Sequence, residues 1–169
     1  MAVAKKSGSN WAIRPFDTRL IRFDTTKKRS GEYWDYTNRY IELYNDNMSI
    51  LGFHLSLGDD GSKQWEKICE SAKKMEFTFI VGDFNVNDLL YPSNTELNLI
   101  ETNYKRAIAN DIITQNQTLT SLDNIFVKND FCGNIKVSVF DYCYISILDG
   151  KNARNIRYSD HNACICEWG

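Results

Sequence analysis

Proline is scarce in this chain, with two in 169 residues, and its nine glycines are scattered. No stretch therefore reads as a low-complexity linker. Apolar runs never exceed the length of a β-strand, which excludes a membrane-spanning helix and argues against a membrane partner. Met1 to Asn10 opens with a basic character but lacks the apolar core of a signal peptide, so a cytoplasmic location is expected. Positive charge is not in excess either: the net charge is −2 and the pI near 5.7. That balance argues against tight, nonspecific attachment to nucleic acid, which grows with the number of phosphates neutralised by Lys and Arg. It does not exclude a nuclease, because an acidic site recruits a divalent cation that supplies the local positive field. The five cysteines, Cys69, Cys132, Cys143, Cys164 and Cys166, form an odd set without zinc spacing. Their simplest reading is as small buried hydrophobes in a reducing compartment. Histidine is as rare as proline, and both copies, His54 and His161, matter below.

What is present fits a globular domain: 43% of residues are hydrophobic and 25% charged, in a chain long enough to bury a true core. Trp11 to Phe23 reads as one or two short strands broken at Pro15, and Thr25 to Gly31 as a loop. Arg39 to Tyr44 alternates as a strand. Asn45-Asp46-Asn47 is a turn signal, so this strand and Met48 to Leu55 predict a hairpin. Trp65, Ile68, Cys69 and Ala72 have helical spacing, which predicts a helix from Ser62 to about Lys74 with Ser62 as its cap. Phe77 to Val81 is a compact apolar strand, residues 88–100 are looplike, and Asn98 to Ala109 is expected to be helical. Thr118 to Val127, Ile135 to Ile147 and Asn162 to Trp168 read as further strands. Alternating strands and helices predict a single α/β layered domain over residues 1–169.

Four short pieces deliver polar side chains at the ends of apolar runs: Phe53-His54-Leu55, Gly82-Asp83-Phe84-Asn85, Ser121-Leu122-Asp123-Asn124-Ile125-Phe126 and Ser159-Asp160-His161. In this order they resemble the endonuclease/exonuclease/phosphatase family, whose members include pancreatic deoxyribonuclease, abasic-site endonucleases, neutral sphingomyelinases and inositol-phosphate phosphatases. The resemblance covers roughly Arg39 to Trp168 and leaves residues 1–38 as a poorly matched stub. In the family these pieces occupy the second half of a domain of roughly 250 residues. The implied fold is a truncated, deoxyribonuclease I-like two-sheet β-sandwich flanked by helices. The family's first half supplies a strand-end Asn and a Glu that is a principal Mg²⁺ ligand. Asp17, Asp24, Glu32, Asp35, Glu42 and Asp46 precede His54 here, and none has the sequence context of that Glu.

The resemblance implies a division of labour for phosphoester hydrolysis, which needs a base, a nucleophilic water, positive charge on the phosphoryl oxygens and help for the leaving oxygen. His161 is the implied general base, and Asp123 the partner that holds its tautomer. Asp83 and Asn85 orient the water or phosphate and join a hydrated metal, and Asp160 is the metal-side carboxylate. His54 touches a phosphate oxygen or assists the leaving group. Arg39 aligns by spacing with an arginine that family nucleases place on the DNA backbone; its alternative reading is a solvated strand-start residue. Mg²⁺, or Mn²⁺, would be weakly held without the family's Glu. Tyr33, Trp34, Tyr36 and Tyr40 either stack on a base or cap the sheet face that the missing half leaves open.

The leading expectation is a metal-dependent phosphoesterase, a nuclease or phosphodiesterase acting on nucleic acid or a small phosphate ester. One alternative is a catalytically degenerate nucleotide- or protein-binding module, such as a phage or mobile-element inhibitor. Another is one half of a split enzyme. Either a rearranged N-terminus, a homo-oligomer or a partner chain is expected to cover the sheet exposed by the missing half.

Overall fold

The computed structural model describes residues 8–14, 26–27, 33–34, 40–55, 59–85, 103–108, 112–115, 118–140, 144–149, 152–157 and 159–169. Its centre is a six-stranded sheet in the spatial order β1 (Ala12–Ile13), β4 (Tyr40–Tyr44), β5 (Ser49–His54), β6 (Phe79–Asp83), β8 (Asp123–Lys128), β7 (Tyr104–Arg106). The expected β4–β5 hairpin is present, with Tyr40 opposite Phe53 and Tyr44 opposite Ser49. Asn45 builds its turn: its Oδ1 accepts the N–H groups of Asn47 at 2.9 Å and Met48 at 2.8 Å. β5 and β6 run parallel, so a crossover must join them, and α1 (Asp59–Met75) provides it.

α1 buries Gly61, Gln64, Trp65, Ile68, Cys69 and Ala72, a stripe at three- and four-residue spacing, and exposes Lys63, Glu66 and Glu70. The helix starts a turn before the expected Ser62 cap. Gly61, which resembles turn punctuation in the sequence, instead takes a buried place on the packed face. Lys73 and Lys74 complement the dipole in the last turn, and Glu76 ends the helix in the left-handed region at φ 51°.

The two faces of the main sheet carry separate cores. On the helix side Leu51, Phe53, Ile80, Phe84 and Phe126 pack with Trp65 and Ile68. Aromatic rings interlock there, with centroids 4.8 Å apart for Phe53–Phe84 and 5.1 Å for Trp65–Phe84. Full burial of each such ring contributes roughly 1.5–3 kcal/mol. On the opposite face Ile50, Phe79, Val81, Ile125 and Val127 pack beneath a two-stranded antiparallel sheet of β9 (Ile135–Phe140) and β12 (Ala163–Trp168). This is a truncated α/β sandwich: helix, main sheet, second sheet. Cys164 and Cys166 face that inner side together, and burial pushes the Cys164 thiol up to about 12 and raises that of Cys166. Both are free, as are Cys69 and Cys132; Cys143 lies outside the described residues.

Several expected elements shift. Tyr104–Arg106, expected to be helical, forms edge strand β7 against β8, because Tyr104 is buried and three residues carry no readable period. The expected strand from Thr118 begins only at Asp123, since Thr118 and Leu119 form a turn that places Gln115 opposite Thr120. Ile135 to Ile147 divides into β9 and β10 (Tyr144–Asp149). β10 pairs with a strand the sequence did not announce, β11 (Asn152–Arg157), whose polar composition hides its period. At the N-terminus β1 pairs with the outer edge of β4, and β2 (Thr26–Lys27) pairs with β3 (Tyr33–Trp34). Glu42 is buried in an ion pair with Arg14 at 2.8 Å on that edge, a structural role for one of the acids that precede His54. Tyr40 packs against the helix-side core; Tyr36 lies outside the described residues.

Gly82 is required by close packing. A Cβ at this position would collide with the Phe53 carbonyl oxygen on the parallel neighbour strand. Gly82→Ala is expected to cost about 1–3 kcal/mol by forcing β5 and β6 apart, read as a lower urea midpoint at unchanged slope.

Candidate active site

Strand alternation decides which side chains reach the site. Phe79 and Val81 face the second sheet, so Asp83, next in that series, faces the same way; Ile80 and Phe84 face the helix. Phe84, 1% exposed, thus anchors the Gly-Asp-Phe-Asn segment from below while Asp83 is presented above. The same parity governs β5 and β8. Register then aligns His54 with Asp83, and Asp83 with Asp123, as one row across three adjacent strands at the end of the sheet.

His161 closes over this row from the segment preceding β12. Its Nδ1 lies 2.7 Å from Asp123 Oδ2, an acceptor that calls for the proton on Nδ1, and its Nε2 lies 3.8 Å from Asp83 Oδ2. His54 Nε2 approaches the same Asp83 oxygen at 3.5 Å from the more exposed side. Both histidines of the chain therefore converge on one carboxylate. Asn85 sits in the left-handed region at φ 51°, with its N–H donating to Asp83 Oδ1 at 2.8 Å and its Nδ2 to the Leu55 carbonyl at 2.5 Å. The turn thereby fixes the Asp83 carboxylate and ties it to the end of β5. Asp160 is exposed beside His161, and Arg39 lies outside the described residues.

Charges in this cluster shift each other. Burial is the largest influence on Asp83 and raises its carboxyl above the usual range; the Asn85 N–H opposes this, and the Asp123 charge adds to it. For His161 burial is again the largest influence and opposes protonation. The Asp123 hydrogen bond, with the charges of Asp123, Asp83 and Asp160, outweighs it and raises the imidazole above its ordinary value. Raising the Asp83 carboxyl means that ionisation there weakens the fold: stability is greatest below the ordinary carboxylate range and falls as pH rises through the raised value. Asp83→Asn is therefore expected to stabilise the protein. A higher melting temperature at pH 8 than that of the unsubstituted chain would bear this out, and a lower one would refute it.

Asp83, Asp123 and His161 present ligand atoms that all lie within 4.8 Å of one another, a group able to hold a metal ion. The donor set, two carboxylates and an imidazole, fits a hard or borderline divalent cation.

Sequence reading missed the buried segment that joins the two halves of the site. Thr114 Oγ1 accepts the N–H groups of Leu122 and Asp123, both at 2.9 Å, while the Thr114 carbonyl accepts the Asn162 N–H at 2.7 Å. Asn162 Nδ2 also donates to the Ile113 carbonyl at 3.1 Å. One threonine thus fixes the start of β8 and the residue after His161. Nothing in Ile112-Ile-Thr-Gln115 marks it, because its value lies in backbone groups that are distant in sequence.

No family model and no curated protein matches the chain. Solved structures do. An endonuclease/exonuclease/phosphatase family protein from Bacteroides thetaiotaomicron aligns at TM-score 0.57 and 15% identity, over 76% of this chain and 54% of that one. The endonuclease domain of TRAS1, a telomere-specific non-LTR retrotransposon, aligns at 0.55 and 13%, over 94% and 80%. This chain has the endonuclease/exonuclease/phosphatase fold. A mannosyl-6-phosphatase from Bacteroides thetaiotaomicron shares that fold at TM-score 0.53 and 15% identity, over 77% of this chain and 55% of that one. The chain spans about half the length of the two Bacteroides proteins, in keeping with a partial domain of this fold. No helix among the described residues is long and apolar enough to cross a membrane.

Proposed function

We propose that the chain is a divalent-cation-dependent phosphoester hydrolase in which His161 is the general base. The observation that carries this reading is the 2.7 Å contact between His161 Nδ1 and Asp123, which in the neutral imidazole keeps the proton on Nδ1 and makes Nε2, 3.8 Å from Asp83, the acceptor. In that state Nε2 accepts a proton from a water poised above Asp83, and the imidazolium that forms is stabilised by Asp123, Asp83 and Asp160. His54, on the open side of Asp83, is placed to donate to a phosphoryl or leaving oxygen. The Asn85 turn holds the Asp83 carboxylate in register with the reacting oxygens. Mg²⁺ or Mn²⁺ at Asp83, the carboxylate common to the converging Asp83–Asp123–His161 group and to the Asp160, Asp83 and Asn85 set that the resemblance implies, would supply positive charge against the phosphoryl oxygens. Neutralisation by a cation reconciles an acidic chain with a phosphate substrate.

The substrate is nucleic acid or a small phosphate ester, since the fold serves a retrotransposon endonuclease domain and a sugar phosphatase alike. A Mg²⁺ and Mn²⁺ titration against plasmid, oligonucleotide and a generic phosphodiester tests the reading. Chelator-sensitive cleavage supports it; a folded protein that cleaves none of them at any metal concentration moves the site to the role of a phosphate-binding module.

A further inference from the structure

β12 has one partner strand and one open edge. Gly169 and Asn134 exchange both of their N–H···O bonds, at 3.2 and 2.9 Å. Antiparallel pairs alternate in this respect, so in the register of β12 with β9 it is Glu167, Ile165 and Ala163 that turn their backbone groups toward β9. Cys164, Cys166 and Trp168 turn theirs the other way, where they make no hydrogen bond to a described residue. Asn162, the preceding member of that series, shows what this edge accepts: its N–H is taken by the Thr114 carbonyl at 2.7 Å. Beyond it the row is unpaired. An open edge is ordinarily blunted by a proline, a lysine or a bulge. β12 has none of these. Its sequence is Ala-Cys-Ile-Cys-Glu-Trp, its register with β9 is unbroken, and its one charge, Glu167, lies on the outer face, 3.7 Å from Lys136.

Beneath this edge lies a cleft of about 390 Å³ between the two sheets. Ile50, Phe79 and Val81 form its floor and Cys164, Cys166 and Trp168 its wall. It runs from Asp83 and Asp123 at the catalytic end of β6 to Phe79 at the other. β9 lies over the β7 side, where Ile135 and Val137 share a hollow with Lys105 and Ala107, so the open edge of β12 looks out over β5 and β4. An unpaired backbone row above an apolar floor fits one kind of occupant, a β-strand with apolar side chains at alternate positions. We propose that the outer edge of β12 is the docking site for an extended strand of a partner polypeptide, which hydrogen-bonds to Cys164, Cys166 and Trp168 and lays its apolar side chains over Ile50 and Val81. A second copy of this chain does not fit. Antiparallel pairing of β12 with its copy would carry a second main sheet into the space held by β5 and β4. Parallel pairing would turn the charged outer face, with Lys136 and Glu167, toward the apolar cleft. The docked strand ends beside Asp83 and Asp123, which brings the partner to the catalytic row.

Amide hydrogen exchange of the full chain, read residue by residue by nuclear magnetic resonance, tests this. The probe is a short peptide of alternating valine and threonine with a lysine at each end. At about ten times its dissociation constant it is expected to slow exchange at Cys164, Cys166 and Trp168 about ten-fold. Ala163, Ile165 and Glu167, already bonded to β9, should be unaffected. The same peptide with methylated backbone nitrogens keeps the apolar side chains but cannot pair as a strand, and is expected to give no protection. Cys166→Pro removes an edge donor that the β9 ladder does not use, and is expected to weaken peptide binding about ten-fold; the methylated peptide carries the comparison if that variant does not fold. Equal binding of the methylated peptide would mean apolar capture rather than strand addition and would overturn the proposal. An unmodified peptide that protects none of the three amides overturns it as well. So does protection in the chain alone: if independent of protein concentration, the chain covers its own edge, and if rising with concentration, a second copy does.

Discussion

Replacing His161 with alanine is expected to lower cation-dependent phosphoester hydrolysis by about 10²–10⁴-fold, the usual contribution of a positioned general base. The loss should fall on turnover rather than on substrate affinity, because Nε2 acts on the attacking water. The fold should survive the change. His161 is not part of either core, and the backbone around it is held independently by the Asn162 N–H bond to the Thr114 carbonyl and by the Ser159 hydroxyl, which accepts the His161 N–H at 3.0 Å. A comparison of initial rates at saturating Mg²⁺, with circular dichroism of both proteins, checks this. Retained activity in the alanine variant would remove His161 from the chemistry and return the general-base role to His54, the other imidazole beside Asp83.

Asp123→Asn should produce a loss of comparable size with a different signature. The asparagine keeps the shape of the contact, but its carbonyl is a weaker acceptor and its NH₂ can hold the imidazole in the opposite tautomer, with the proton on Nε2. In a hydrolase built on an Asp–His pair such a substitution costs about 10⁴-fold. The pH dependence adds a second reading. Asp123 is the leading cause of the upward shift of His161, so its removal lets burial lower the imidazole again. The acid limb of the rate profile, which reports conversion of His161 to its neutral form, should move to lower pH. Stability shifts in the matching sense. A histidine raised in the folded state contributes stability that is complete below its ordinary value of about 6.5 and is lost as pH rises through the raised value. The melting temperature of the asparagine variant should therefore trail that of the unsubstituted chain more at pH 5.5 than at pH 8.5. A gap of equal size at both pH values would mean that the two side chains meet without sharing charge.

These two effects depend on features of different legibility. The polar residues of the row were readable because each borders a short apolar run, His54 and Asp83 at the ends of β5 and β6 and Asp123 at the start of β8, and a strand of period two leaves little choice about where the next side chain points. His54 after Phe53, Asp83 after Val81-Gly82 and the Asp123 of β8 are of this kind, and the α1 stripe was readable for the same reason with a different period. Short or polar elements were not. β7 has three residues, which fit a helix or a strand equally well until Phe126 and Lys128 are seen beside them. β11 is mostly polar, with four of its six residues Asn or Arg, and only its register with β10 identifies it as a strand. The start of α1 was misplaced because Gly61 signals a turn locally but is accommodated by packing.

The sequence by itself determined the order of the site residues, the core faces of the long elements and the resemblance that tied them to phosphoester chemistry. These are properties of neighbours along the chain, where period and residue type act directly. Tertiary structure alone decided that both histidines meet at Asp83, that Glu42 is taken by Arg14, and that Thr114 and Gln115 hold the two sides of the site together. Each of these depends on strand register and on hydrogen bonds between groups tens of residues apart. A shift of one residue in that register would turn every side chain of the row to the opposite face, and no local pattern records which register is adopted.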